Sequence, residues 1–228
     1  MTKALIVVTS TAKFGSRMQA TGVWLSEAAH FHAVMKAHDI AVDYVSPEGG
    51  YVPLDPGSLL PDNLDPTSWE FYSDASYRQH YLAEALKPSD VQPDDYDLIY
   101  FAGGHGTMWD FPENKALAAI AQQIYANGGL VTAVCHGVVG LLPMTTATGA
   151  AFIKGRKLTG FTNEEEAINK LTDAVPFLAE DALREAGSDY SKAAPYTEHV
   201  VVDGRLITGQ NPQSARAIAL KVVEQLNK

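Results

Sequence analysis

The chain has 228 residues, 46% of them hydrophobic and 19% charged, a globular balance that excludes a disordered chain and suits one domain spanning 1–228. With 17 basic against 27 acidic residues the formal net charge is -10. That balance opposes long-range attraction to nucleic acid or to an anionic membrane, and no Lys/Arg run offers a local exception. The single cysteine excludes an intrachain disulfide and a multi-cysteine zinc site.

The apolar run beginning at Ala4 is too short to cross a membrane and no small-residue cleavage site follows it, so a cytoplasmic protein is expected. Residues 3–9 form a β-branched run that reads as a buried parallel strand. A polar loop follows, then a helix over 21–37 and a strand over 40–45. Residues 46–66 are rich in Pro, Gly and Asp without a clear period, and 73–86 read as helical; together they form an insertion at about 46–90. The next strand, 97–102, runs into the turn Gly103-Gly104-His105-Gly106. A helix over 113–126 stops at Asn127-Gly128-Gly129.

Leu130–Val134 is a further strand, and helical pattern resumes over 136–142. A short strand is expected over 157–159, helices over 164–171 and 177–186, a hairpin over 200–208 turning at Asp203-Gly204, and an amphipathic helix at Ala215–Leu226. Strands alternating with helices of this length imply an α/β fold with a mostly parallel sheet covered on both faces. Chemistry in such folds gathers at the carboxyl ends of the strands. Two strands here end unusually, one in Gly-Gly-His-Gly and the other in Cys135.

Around Cys135 the sequence is Ala133-Val134-Cys135-His136-Gly137. Small residues at minus two and plus two match the spacing of a nucleophile elbow, with cysteine as the nucleophile. A thiol at a helix start gains from free backbone N–H groups and the dipole, so its pKa is expected below the usual ~8.5. The alternative is one more buried apolar cysteine. The Gly103-Gly104 turn and the N–H of His136 are candidates for an oxyanion hole, with His105 beside them.

Glu27 falls inside the apolar stripe of the first helix, since 24, 27, 31 and 34 share one face. It is either solvated at the stripe's edge or buried and protonated, in which case it can donate to the thiolate. The run Glu164-Glu165-Glu166 suits a helix's first turn capped by Thr162 or Asn163, and one member can orient His136. Glu198-His199 reads as structural. His30 and His32 point to different helical faces and make a poor metal pair.

These motifs resemble the ThiJ/PfpI superfamily. The residues that carry the resemblance are Ala-Val-Cys135-His136-Gly137 and the run from Ala102-Gly103-Gly104-His105 to Asp110-Phe111-Pro112. Gly22-Val-Trp-Leu-Ser-Glu27, Val45-Ser46-Pro47-Glu48-Gly49-Gly50, Leu158-Thr-Gly-Phe-Thr162 and Asp203 through Pro212 extend it. The branch it looks most like holds the glyoxalase III enzymes and the heat-shock-protein-thirty-one-like chaperones. The resemblance implies the flavodoxin-like sandwich of class I glutamine amidotransferases. It also implies a glutathione-independent glyoxalase, a hydro-lyase that converts methylglyoxal or a related 2-oxoaldehyde to a 2-hydroxy acid.

On that pattern Cys135 is the nucleophile, His136 its histidine, Glu27 the helix-borne glutamate and Glu166 the acidic third member, with a one-residue slip to Glu165 left open. Gly103, Gly104 and His105 take the oxyanion or substrate-binding role. No metal or organic cofactor is expected, and the partner is a small carbonyl substrate, with a homodimer as a possible assembly. Two other classes stay open. One is a cysteine-dependent amidase, peptidase or deglycase. The other is a stress chaperone or oxidant sensor, which an exposed apolar patch around Trp69 to Tyr81 would favour.

Overall fold

The computed structural model describes residues 2–227. Its strands β1 (Lys3–Val7), β2 (Ala41–Val45), β3 (Leu98–Phe101) and β4 (Leu130–Val134) are almost wholly buried. Runs apolar on both faces are what a parallel sheet covered by helices requires. With β7 (Val200–Asp203) and β8 (Leu206–Gly209) they form a six-stranded sheet in the order β2-β1-β3-β4-β8-β7. Every neighbouring pair is parallel except the β7–β8 hairpin. The order reverses beside β1, the flavodoxin-like pattern, which opens a crevice at the carboxyl ends of β1 and β3.

Alternation along the strands divides the core. Ala4, Ile6, Leu98 and Tyr100 point to a face covered by α1 (Leu25–Ala37) and the carboxyl-terminal helix, Ala215–Leu226. Leu5, Val7, Ile99 and Phe101 point to the face covered by the helix Lys115–Ala126. Both expectations, the α/β class and the mostly parallel sheet with helices on both sides, hold.

The first helix starts at Leu25, four residues later than the sequence suggests. The chain before it is extended because the Val23 N–H donates to Pro53 O and Val23 bridges Leu54. In the insertion, α2 (Pro66–Ser73) begins at a proline with Asp65 accepting from the Ser68 N–H. The expected helix over 73–86 is broken into α3 (Ala75–Tyr77), capped by Asp74, and one wide turn at Arg78–Ala83. Its end is extended, since Ala85 pairs with Gly50 and Leu86 with Val45.

After β3 a single turn, α4 (Thr107–Asp110), precedes α5 (Lys115–Ala126), whose first turn is capped by Asn114. The segment after β4 is a 3-10 helix, Cys135–Leu141. The expected strand over 157–159 shrinks to β5 (Lys157–Leu158), which leaves the main sheet to pair with β6 (Asp189–Tyr190). Between them lie α6 (Asn163–Ile168) and α7 (Ala179–Glu185), and α8 (Ala215–Leu226) closes the chain. Among the described residues no helix is long and apolar enough to cross a membrane.

Candidate active site

Cys135 follows β4 directly and holds φ at +54°, a left-handed conformation that a non-glycine residue rarely adopts. A Cβ at position 137 would lie 2.3 Å from Phe101 O, so the elbow closes against β3 only because Gly137 has none. This strained turn lifts the thiol to the floor of a cavity of about 810 Å³, where Cys135 is 3% exposed.

His136 lies beside the thiol, with Nδ1 3.4 Å from Sγ and Nε2 2.7 Å from Glu166 Oε2. The carboxylate can only accept, so the Nε2–H donates to it, and Nδ1 turns its lone pair to the sulfur. Phe161 and His105 flank the imidazole at ring-centroid distances of 4.2 and 4.1 Å. Burial lowers the pKa of His136, helped by His105 and opposed by Glu166. Burial alone would raise Glu166, but His136 and the two histidine hydrogen bonds outweigh it and hold the carboxyl well below its ordinary range. The pair therefore favours a neutral imidazole against a fixed carboxylate.

Glu27 is fully buried, which decides between its two sequence readings. Its Oε2 accepts the Gly103 N–H at 2.6 Å, and the Tyr100 hydroxyl donates to its backbone carbonyl at 3.1 Å. Oε1 makes no aligned hydrogen bond. Burial raises the Glu27 pKa to about 8, against the Gly103 N–H and the coupled Cys135, so the group is an acid at neutral pH. A methyl at position 103 would sit 2.8 Å from Glu27 Oε2, 2.9 Å from His136 N and 3.0 Å from Cys135 Cβ. Gly103 is thus the point where acid, amide and nucleophile converge.

Three expectations change. The Cys135 thiol is not lowered: burial and the adjoining Glu27 carboxyl push it well above its ordinary range, and the His136 N–H only partly offsets them. The helix that was to lower it is a short 3-10 turn in a dry site, where desolvation dominates. Gly103 cannot supply an oxyanion donor, since Glu27 occupies its N–H; the Gly104 amide lines the cavity, and the His136 amide faces the Cys135 sulfur, where an attacked carbonyl would sit. The His105 side chain, although it lines the cavity, spends Nε2 on Glu166 Oε1 at 2.8 Å.

The slip between the two glutamates also resolves. Glu165 spends both oxygens on the surrounding loops and ties them together. Its Oε2 takes the Thr162 N–H and hydroxyl at 3.0 and 2.9 Å. Its Oε1 takes the Tyr196 N–H, Gln210 Nε2 and Asn211 Nδ2 at 2.8, 3.1 and 2.9 Å. The capping box Thr162–Glu165 fixes the helix start and so aims the next residue, Glu166, at His136.

The cavity's outer wall is built by Trp24, the insertion's Asp55 to Asp65, and Tyr196, held at φ +54°, none of which the sequence reading named as site residues. Its only local signal was the Pro/Asp-rich character of the insertion. His30 pairs with Asp65 at 2.6 Å, while His32 is enclosed by Phe71, Tyr77 and Tyr81. That enclosure buries Phe71 and Tyr77, while Tyr72 and Tyr81 are half-buried and Trp69 is exposed. His199 meets Ser191 at 3.1 Å, away from the thiol.

Comparison with known proteins identifies the family. The chain is 35% identical to the glutathione-independent glyoxalase HSP31 of Saccharomyces cerevisiae and 35% identical to glyoxalase 3 of Candida albicans, covering 98% of each chain in both cases. The crystal structure of glyoxalase III from Candida albicans superposes with a TM-score of 0.90 at 33% identity, covering 98% of this chain and 97% of that one. The Rapid Encystment Protein 24 KDa of Francisella tularensis gives a TM-score of 0.94 at 40% identity, with 99% of both chains covered. Residues 18–225 match the model of the DJ-1/PfpI family, and with the elbow, sheet order and relatives in agreement, the chain belongs to that family, in its glyoxalase III-like branch.

Proposed function

We propose that the protein is a glutathione-independent glyoxalase that converts methylglyoxal or a related 2-oxoaldehyde to the 2-hydroxy acid. The observation that carries this reading is one nucleophile served from two sides: His136 Nδ1 at 3.4 Å from the thiol, and the buried acid Glu27 on the neighbouring Gly103 amide. The function printed in the names of the relatives in yeast and Candida supports it.

In this mechanism the Cys135 sulfur attacks the aldehyde carbon while His136 Nδ1 takes the thiol proton. A raised thiol pKa suits that order, because the proton leaves only as the carbon–sulfur bond forms. The N–H groups of Gly104 and His136 hold the developing alkoxide, which takes the Glu27 proton and becomes a hemithioacetal. The Glu27 carboxylate then removes the hydrogen from C1, while the imidazolium protonates the oxygen on C2, giving an enediol. Glu27 delivers its proton to C2 and recovers one from the C1 hydroxyl, leaving a lactoyl thioester. Water, deprotonated by His136, hydrolyses the thioester, and the departing thiolate takes the proton back.

Water is added and nothing is oxidised overall, so the enzyme is formally a hydro-lyase that needs no glutathione. The cavity of about 810 Å³ exceeds what a three-carbon aldehyde fills, which favours 2-oxoaldehydes with larger substituents as well. We place this activity in the cytoplasm, with no nucleic-acid or membrane partner. Incubating the purified protein with methylglyoxal, without glutathione, should yield lactate. Cys135→Ala should abolish it, and a chelator should not lower the wild-type rate. Lactate formed equally fast by Cys135→Ala, or not at all by the wild type, rejects the reading.

A further inference from the structure

Glu166 does more than orient one histidine. It gives Oε2 to His136 at 2.7 Å and Oε1 to His105 at 2.8 Å, and both rings are buried and tilted against each other. Holding His136 needs only one of those oxygens. We propose that His105, His136 and Glu166 bind a divalent transition-metal cation of the zinc class, and that the bound ion silences the base that serves Cys135.

The ligand atoms of the three residues lie within 4.8 Å of one another. A zinc ion with bonds of about 2.0–2.2 Å separates neighbouring ligand atoms by roughly 3.3 Å. The two Nε2–O pairs, at 2.7 and 2.8 Å, need to open by about half an ångström, and the wider separations, within 4.8 Å, need to close toward the same value. Two imidazoles and one carboxylate are also a donor set that zinc accepts readily while leaving a position for water. His105 and His136 both line the cavity, with Glu166 buried behind them.

Charge favours entry as well. Glu166 carries one negative charge at the site, and Glu165 is buried beside it. Asp55, Asp62 and Asp65 line the cavity, and none of the residues lining it is Lys or Arg. A dication therefore meets an acidic passage leading to an anionic site with no fixed cation to repel it.

The consequence for Cys135 follows from imidazole chemistry. A metal on Nε2 uses the lone pair there, so a neutral imidazole carries its hydrogen on Nδ1 instead. In His136 that nitrogen faces the sulfur at 3.4 Å. It then donates to Cys135 rather than accepting from it, and the proton transfer that starts the reaction is lost. The sulfur itself stays free, because the ion sits on the far side of the ring. Both histidine hydrogens move within their own rings, so no redox partner or proton acceptor is needed.

The binding half of this proposal is independent of the activity, and the inhibition half rests on the glyoxalase reading. Equilibrium dialysis against zinc should give one ion per chain, in the wild type and equally in Cys135→Ser. His105→Gln keeps an N–H for Glu166 but offers zinc no nitrogen ligand, and should bind at least ~10-fold more weakly. In zinc-loaded wild type, lactate formation should fall while iodoacetamide still alkylates Cys135 to completion, since the sulfur carries no metal. Absence of stoichiometric binding, its loss in Cys135→Ser, full retention in His105→Gln, or protection of Cys135 from alkylation each overturns the proposal. The wild-type alkylation arm decides the matter even if His105→Gln does not fold. If the protein makes no lactate, dialysis and alkylation still test the site, separately from the failed glyoxalase reading.

Discussion

The Glu27 carboxylate accepts the backbone N–H of Gly103 at 2.6 Å across 76 residues of sequence. One bond thereby ties helix α1 to the end of β3, and presses an acid with a pKa of about 8 against the nucleophile's turn. It also removes Gly103 from the oxyanion donors.

Replacing that acid separates its chemistry from its structural bond. Glu27→Gln keeps an oxygen for the Gly103 N–H but cannot exchange a proton. Its kcat with methylglyoxal should fall by about 10²-fold or more while its circular dichroism and melting cooperativity stay those of the wild type. The same variant removes the carboxyl that raises Cys135, so the pH midpoint of iodoacetamide alkylation should move down. An unchanged kcat would return Glu27 to a purely structural role.

Stability should depend on pH through the same group. The folded pKa of about 8 lies above the ordinary 4.5, so between those values the folded state binds a proton that the unfolded chain releases. Raising the pH through that window therefore destabilises the wild type, by up to about 1.4 kcal/mol per unit. Melting curves from pH 5 to 8 should show the gap between Glu27→Gln and wild type shifting steadily in favour of the variant. A parallel pair of curves would mean that Glu27 is ionised throughout. Activity that needs the protonated acid should decline as the pH passes about 8.

The neighbouring glutamates should fail in different ways. Glu165→Ala strands the donors of Thr162, Tyr196, Gln210 and Asn211, and should lower stability by roughly 3 kcal/mol or more. Glu166→Gln should fold, but its amide can accept from only one of the two histidines. kcat should drop by about 10²–10⁴-fold, as when a triad carboxylate becomes an amide. Thermal melts and kcat measured on both variants check this; a catalytic loss without unfolding in Glu165→Ala would reverse the roles.

Gly103→Ala tests the convergence point. Its methyl would lie 2.8 to 3.0 Å from a carboxylate oxygen, an amide nitrogen and the Cys135 Cβ, none of which can swing away freely. The variant should lose about 1–3 kcal/mol of stability and most of its turnover. Gly50→Ala, where the added Cβ meets nothing within 4 Å although φ is +71°, serves as a control for the substitution itself, and should keep its activity.

Local sequence was sufficient for the parts of this site that chain neighbours build. Cys135 stands on its elbow because Ala133 and Gly137 are small and Leu130–Val134 is an apolar strand; all of that lies within a few residues. The adjacency of His136, a helix start capped at Thr162 or Asn163 and the parallel sheet were legible for the same reason. Tertiary structure alone decided what depends on depth and on distant partners. A helical stripe shows that Glu27 shares a face with apolar residues, but only its docking against the end of β3 removes water and makes it an acid. That burial, with Glu27 beside the sulfur, also reverses the expected direction of the Cys135 pKa. His105 and Glu166 are 61 residues apart, and their bond exists because β3 and β4 are neighbours in the sheet and α6 reaches back over both ends. Desolvation and long-range pairing are properties of the packed chain, and no spacing of residues along it encodes them directly.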